Sequence, residues 1–153
     1  MTVFAEQWSD VLGAVHGLLA IVMVISFVMG AIFLYAVSVH NWKHIQIAGL
    51  TASLTYIATF VMGLLVYPRF RVYVRGRFLD ERAPNSTGLF EIKEHLAALG
   101  LFIALALLVL IAFGRLRRAN TWRRQLYGAL FCILSILALV VTALAYVLAS
   151  RKP

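Results

Sequence analysis

Four long apolar stretches, at about residues 11–39, 45–67, 91–114 and 126–149, constrain this chain more than anything else in it. Each exceeds the roughly 20 residues that cross a hydrocarbon core about 30 Å thick, and such a stretch must satisfy its own backbone polar groups. None alternates apolar and polar residues over a strand's length, so helices are expected rather than barrel strands. Short links join the first stretch to the second and the third to the fourth, which makes successive helices antiparallel neighbours. The expected fold is all-α: a transmembrane four-helix bundle, antiparallel and up-down, forming one integral membrane domain over residues 1–153.

Composition agrees. The chain is 63% hydrophobic and 13% charged, against roughly 45–50% apolar residues in ordinary soluble domains, and its mean hydropathy is +0.92. The formal charge of +8 comes from arginines set between apolar blocks, which suits a membrane surface and excludes nucleic acid as the expected partner. The single cysteine, Cys132, lies inside an apolar stretch and has no partner for an intrachain disulfide. The first stretch is too long for a signal-peptide core and has no basic residues before it, so it is expected to be retained.

Residues 69–90 form the one long connection. On a helical wheel Phe70, Tyr73, Val74 and Phe78 share a face and Arg71, Arg75 and Arg82 another, the pattern of an amphipathic segment on the membrane surface. The alternation from Arg71 to Arg75 also suits a short strand. The run Ala83-Pro-Asn-Ser-Thr-Gly88 reads as a turn, with Thr87 as N-cap of helix 3 and Glu91 and Glu94 in its first turns. Basic residues are nearly balanced between the two faces of the bundle. The densely basic link at 115–124, and Lys43 after a helix 1 with no basic residue before it, place both termini outside the cytoplasm. A bacterial inner membrane is the expected location.

Ionisable side chains inside a bilayer are costly and mark functional sites. His16 and His95 lie roughly 6–8 Å inside helices 1 and 3, both measured from the terminus face. Those helices are diagonal in an up-down bundle, so a porphyrin could stand between them with one imidazole on each side of its iron. Gly13 and Gly17 flank His16 and leave space for a macrocycle, and Arg69, Arg71 and Arg75 above could neutralise propionates. The competing readings are a histidine that only bonds a backbone carbonyl, with Gly13 and Gly17 as a close-packing motif, Met62 as a replacement ligand, and a metal site of His16, His95 and Glu91. Glu91 lies four residues before His95, so it shares a helix face with it and could hydrogen-bond to the ring. His40 and His44 sit at the opposite interface with no histidine facing them. Phosphate loops, HExxH, CxxC and a nucleophile elbow are absent from the sequence.

In architecture and histidine placement, residues 11–149 resemble the small four-helix membrane b-type cytochromes and the haem-bearing anchor subunits of respiratory complexes. The resemblance implies a membrane electron-transfer subunit of a respiratory or photosynthetic complex, with one haem b on His16 and His95 and a quinone as a further candidate cofactor. It implies other membrane subunits of a redox complex, lipid and a periplasmic electron carrier as partners. The alternative is a haem-free structural or assembly subunit of a membrane complex.

Overall fold

The computed structural model describes residues 8–36, 42–82, 84–113 and 121–150. Four long helices account for most of it: α1 (Ser9–Ala36), α2 (Trp42–Arg69), α3 (Pro84–Phe113) and α4 (Thr121–Ser150). Each has 28 or 30 residues. At about 1.5 Å per residue they exceed a hydrocarbon core of about 30 Å, so their ends reach the headgroup layers. All four contain windows long and apolar enough to cross a membrane. The chain is an integral membrane protein built as a four-helix bundle, and no strand occurs among the described residues.

The helices pack α1 on α2, α2 on α3, α3 on α4 and α4 on α1, leaving α1 and α3 diagonal as expected. Between lipid-immersed helices there is little hydrophobic drive, so close packing and interhelical hydrogen bonds must hold them together. Large rings lie against glycines. The Phe131 ring occupies the space a side chain at Gly30 would need, Tyr127 does so at Gly49, and Tyr56 at Gly100. Phe27 and Phe131 stand 5.5 Å apart, and Tyr127 stacks on Phe131 at 6.1 Å. Around them Ala52, Ala104, Leu107, Leu134 and Ala138 are fully buried.

Two tyrosines tie α2 to the adjacent α3 and, across the diagonal, to α4. Tyr56 donates to the Ala97 carbonyl of α3 at 3.0 Å, and Tyr127 of α4 donates to the Ile45 carbonyl at 2.8 Å.

The connection between α2 and α3 is helical, as the wheel pattern of its aromatic and basic residues allowed. Pro68 stays inside α2, one residue from its end. Lacking an N–H, it cannot bond the carbonyl four residues back. From Phe70 to Leu79 the backbone continues as a π-helix, followed by a single helical turn at Asp80–Arg82. The strand alternative is thereby set aside. Helix α3 begins at Pro84, because proline at the first helical position gives up an N–H that has no partner there anyway. The expected turn at 83–88 is thus mostly the first turn of α3. Thr87 is not its N-cap, since its hydroxyl donates to Asp80 Oδ1 at 2.9 Å. Helix α4 likewise starts at Thr121, earlier than the apolar run suggests.

Candidate functional site

Position along α3 sorts its side chains into two opposed stripes. Ser86, Phe90, Lys93, Ala97, Gly100, Ala104 and Leu107 are buried or half-buried and face the bundle. Ile92, His95, Leu99, Phe102, Ala106, Val109 and Phe113 are exposed and face outward. His95 therefore stands on the outer side of α3. Its Nδ1–H donates to the Glu91 carbonyl one turn back at 2.7 Å, so Glu91 meets the ring through its backbone while its carboxylate serves Arg75.

His16 lies on the other kind of stripe. With Ala20, Met23, Phe27 and Gly30 it follows the inward face of α1. Its Nδ1–H donates across to the Thr59 carbonyl of α2 at 3.0 Å, and the ring rests beside Gly63, whose missing side chain leaves it room. Because a carbonyl only accepts, Nδ1 carries a proton in both histidines, and in the neutral ring that leaves the lone pair on Nε2. Neither Nε2 has a partner among the described residues.

The matched depth expected from the sequence does not set which way each imidazole faces. The two are not brought together. His16 points into the bundle, and the residue that α3 turns inward at this level is Lys93, about 200° around the helix from His95 at 3.6 residues per turn. The Lys93 ammonium lies 4.7 Å from the Phe90 ring centre and within electrostatic reach of His16. Chemically each histidine suits a metal ligand, since ligating imidazoles commonly anchor their other nitrogen on a carbonyl. As the single chain stands, the pair does not fit around one shared iron. Nor do any three His, Cys, Asp or Glu side chains gather at one point among the described residues.

Gly13 and Gly17 leave open space: a Cβ at either would meet nothing within 4 Å. They are consequently not a close-packing motif within this chain. Of the arginines expected above the site, Arg71 is exposed and the Arg69 side chain lies outside the described residues. Arg75 is taken up by two acids, the Glu91 carboxylate and, at 3.8 Å, that of Asp80. Loss of hydration works against the Arg75 charge, yet Glu91, Asp80 and the Tyr67 hydroxyl outweigh it and hold the guanidinium above its ordinary pKa. The π-helical segment is pinned from the other side by aromatic stacking. Phe70 lies 4.5 Å from Phe90, and Tyr67 lies 6.3 Å from it. This segment packs on α2 and α3.

His44 is exposed at the opposite end, 5.6 Å from the Phe33 ring, and His40 lies outside the described residues. Lys93 is the residue that a reading of the sequence passes over. Its spacing of three, four and seven residues from Phe90, Ala97 and Gly100 was the available signal. Set against protein-family models, curated proteins and solved structures, the chain matches no family, no curated protein and no solved structure.

Proposed function

We propose that this protein is a haem-free accessory subunit of a larger membrane complex, seated there through the outward stripe of α3. The observation that supports this is the position of His95. Its imidazole stands among Ile92, Leu99 and Phe102 on the exposed side, with an Nε2 that no described residue uses. Lipid tails offer such a nitrogen no partner, whereas a neighbouring subunit can. Nothing outside the four spans and their links is large enough among the described residues to hold a substrate, which favours an accessory role. A bacterial inner membrane with both termini outside the cytoplasm belongs to the same proposal.

A photo-crosslinking amino acid at Phe102, compared with one at Ala104 on the buried stripe, tests it in native membranes. The expected result is a discrete adduct with another polypeptide from position 102 and none from 104. Lipid adducts alone from position 102 would overturn the proposal.

A second reading is the electron-transfer subunit with one haem b on His16 and His95, exchanging electrons with a quinone or a periplasmic carrier. The shared Nδ1–H form of the two rings favours it, since both present Nε2 for ligation. It requires α3 to turn about its axis on assembly so that His95 replaces Lys93. Sharp reduced-minus-oxidised visible bands in protein purified from membranes, lost on His16→Ala or His95→Ala, are its expected signature. Protein without such bands removes this reading.

A further inference from the structure

We infer that the groove between α1 and α2 at the link end of the bundle binds one phospholipid with an anionic headgroup. The groove has a volume of about 200 Å³ and is open on the outer side of the two helices. Ile25, Met29 and Phe33 form one wall, Ile47 and Thr51 the other, and Ala48 the floor. The floor is low for a reason. Gly30 and Ala48 let the two helices close behind it, since a Cβ at Gly30 would already stand 3.2 Å from that of Ala48. Ser26, also on the lining, spends its hydroxyl on the Val22 carbonyl at 2.8 Å, so the trough offers a chain little to hydrogen-bond.

From Phe33 down to Ile25 the trough is roughly 12 Å long at about 1.5 Å per residue, most of the depth of one leaflet. That is a seat for one acyl chain. At its mouth the His44 ring stands 5.6 Å from that of Phe33, tilted against it, and Lys43 is exposed one residue before it. Arg123 and Arg124 stand at the same end, in the first turn of α4.

Charge decides which lipid this is. Of the chain's six acidic residues, the five described ones, Asp10, Asp80, Glu81, Glu91 and Glu94, belong to the opposite end, and the sequence of neither link at the groove end contains any. A zwitterionic headgroup would bring a cation into this basic surround, whereas an anionic one gains from it. Basic clusters of this kind beside helix pairs are worth about 1 kcal/mol per Lys or Arg toward acidic lipid, roughly fivefold in affinity.

The test uses the full chain in bicelles of phosphatidylcholine with added phosphatidylglycerol, followed by native mass spectrometry of retained lipid. The expected result is one phosphatidylglycerol per chain, retained in preference to phosphatidylcholine. Lys43→Gln should lower that preference roughly fivefold. Thr51→Phe fills the trough from an exposed position and should abolish retention while circular dichroism stays unchanged. Equal retention of the two lipids, unaltered retention in the Thr51→Phe protein, or displacement of phosphatidylglycerol by added ubiquinone would each overturn the inference.

Discussion

Replacing Gly49 by alanine drives a methyl group into the Tyr127 hydroxyl, and that collision gives the most direct check on how α2 and α4 are held. Tyr127 is 1% exposed, and its hydroxyl donates to the Ile45 carbonyl, one turn before Gly49 on α2. A Cβ at Gly49 would overlap that hydroxyl and stand 3.1 Å from both Tyr127 Cζ and Ile111 Cδ1. Three effects compete. Overpacking costs about 1–3 kcal/mol, and an interhelical hydrogen bond in a bilayer is worth about 0.6–1.7 kcal/mol. Alanine returns about 1 kcal/mol of helix propensity. Gly49→Ala should therefore destabilise by about 1–3 kcal/mol and Tyr127→Phe by about 1 kcal/mol. In the double variant the hydroxyl is gone, leaving only 3.1 Å neighbours that need to give by a few tenths of an ångström. Its loss should match that of Tyr127→Phe alone, a coupling of about 1–3 kcal/mol. Equilibrium unfolding in mixed micelles, followed by circular dichroism across a dodecyl sulfate titration, measures all four corners of the cycle. Losses that add within about 0.5 kcal/mol would refute the contact.

Three further outcomes follow from the packing and the topology. Phe90→Ala removes a ring that is 3% exposed and stacked on Phe70 and Tyr67, and should cost about 3 kcal/mol or more in the same unfolding assay. Ser53→Ala should stabilise by about 1 kcal/mol, since the Ser53 hydroxyl is fully buried and has no partner among the described residues. In a Cys132→Ser background, cysteines at positions 80 and 123 should react with an impermeant maleimide from opposite sides of the membrane, and labelling from one side would break the four-span topology.

The number of helices was legible because apolar length is a one-dimensional property that needs no partner. Helix ends were less so. Pro84 and Gly88 read as a turn, although proline is favoured at a helix's first position and Gly88 sits harmlessly on the exposed side of α3. Facing was the hardest to read. A soluble helix declares its inner side by polarity, but beyond His95 α3 is apolar all round, and its outward residues Leu99 and Phe102 are as hydrophobic as the inward Ala104 and Leu107. What did mark the inner side was size. Gly30, Gly49 and Gly100 each receive a ring from another helix, and counting α3 positions from Gly100 would have placed Lys93 inside and His95 outside.

That phase couples the candidate site to the packing of the whole bundle. For His95 to reach an iron held by His16, α3 must turn through about 200°. The same turn carries Gly100 away from Tyr56, breaks the bond from Tyr56 to the Ala97 carbonyl, and withdraws Phe90 from the rings of Phe70 and Tyr67. Glu91 would leave Arg75, which ties the π-helical segment to α3. These contacts all belong to one rigid helix and cannot be given up singly. A bis-histidine haem inside one chain and an intact Tyr56–Gly100 contact thus exclude each other. A disulfide or crosslink that fixes α2 to α3 across that contact should leave an accessory subunit fully assembled, and should prevent a haem protein from forming.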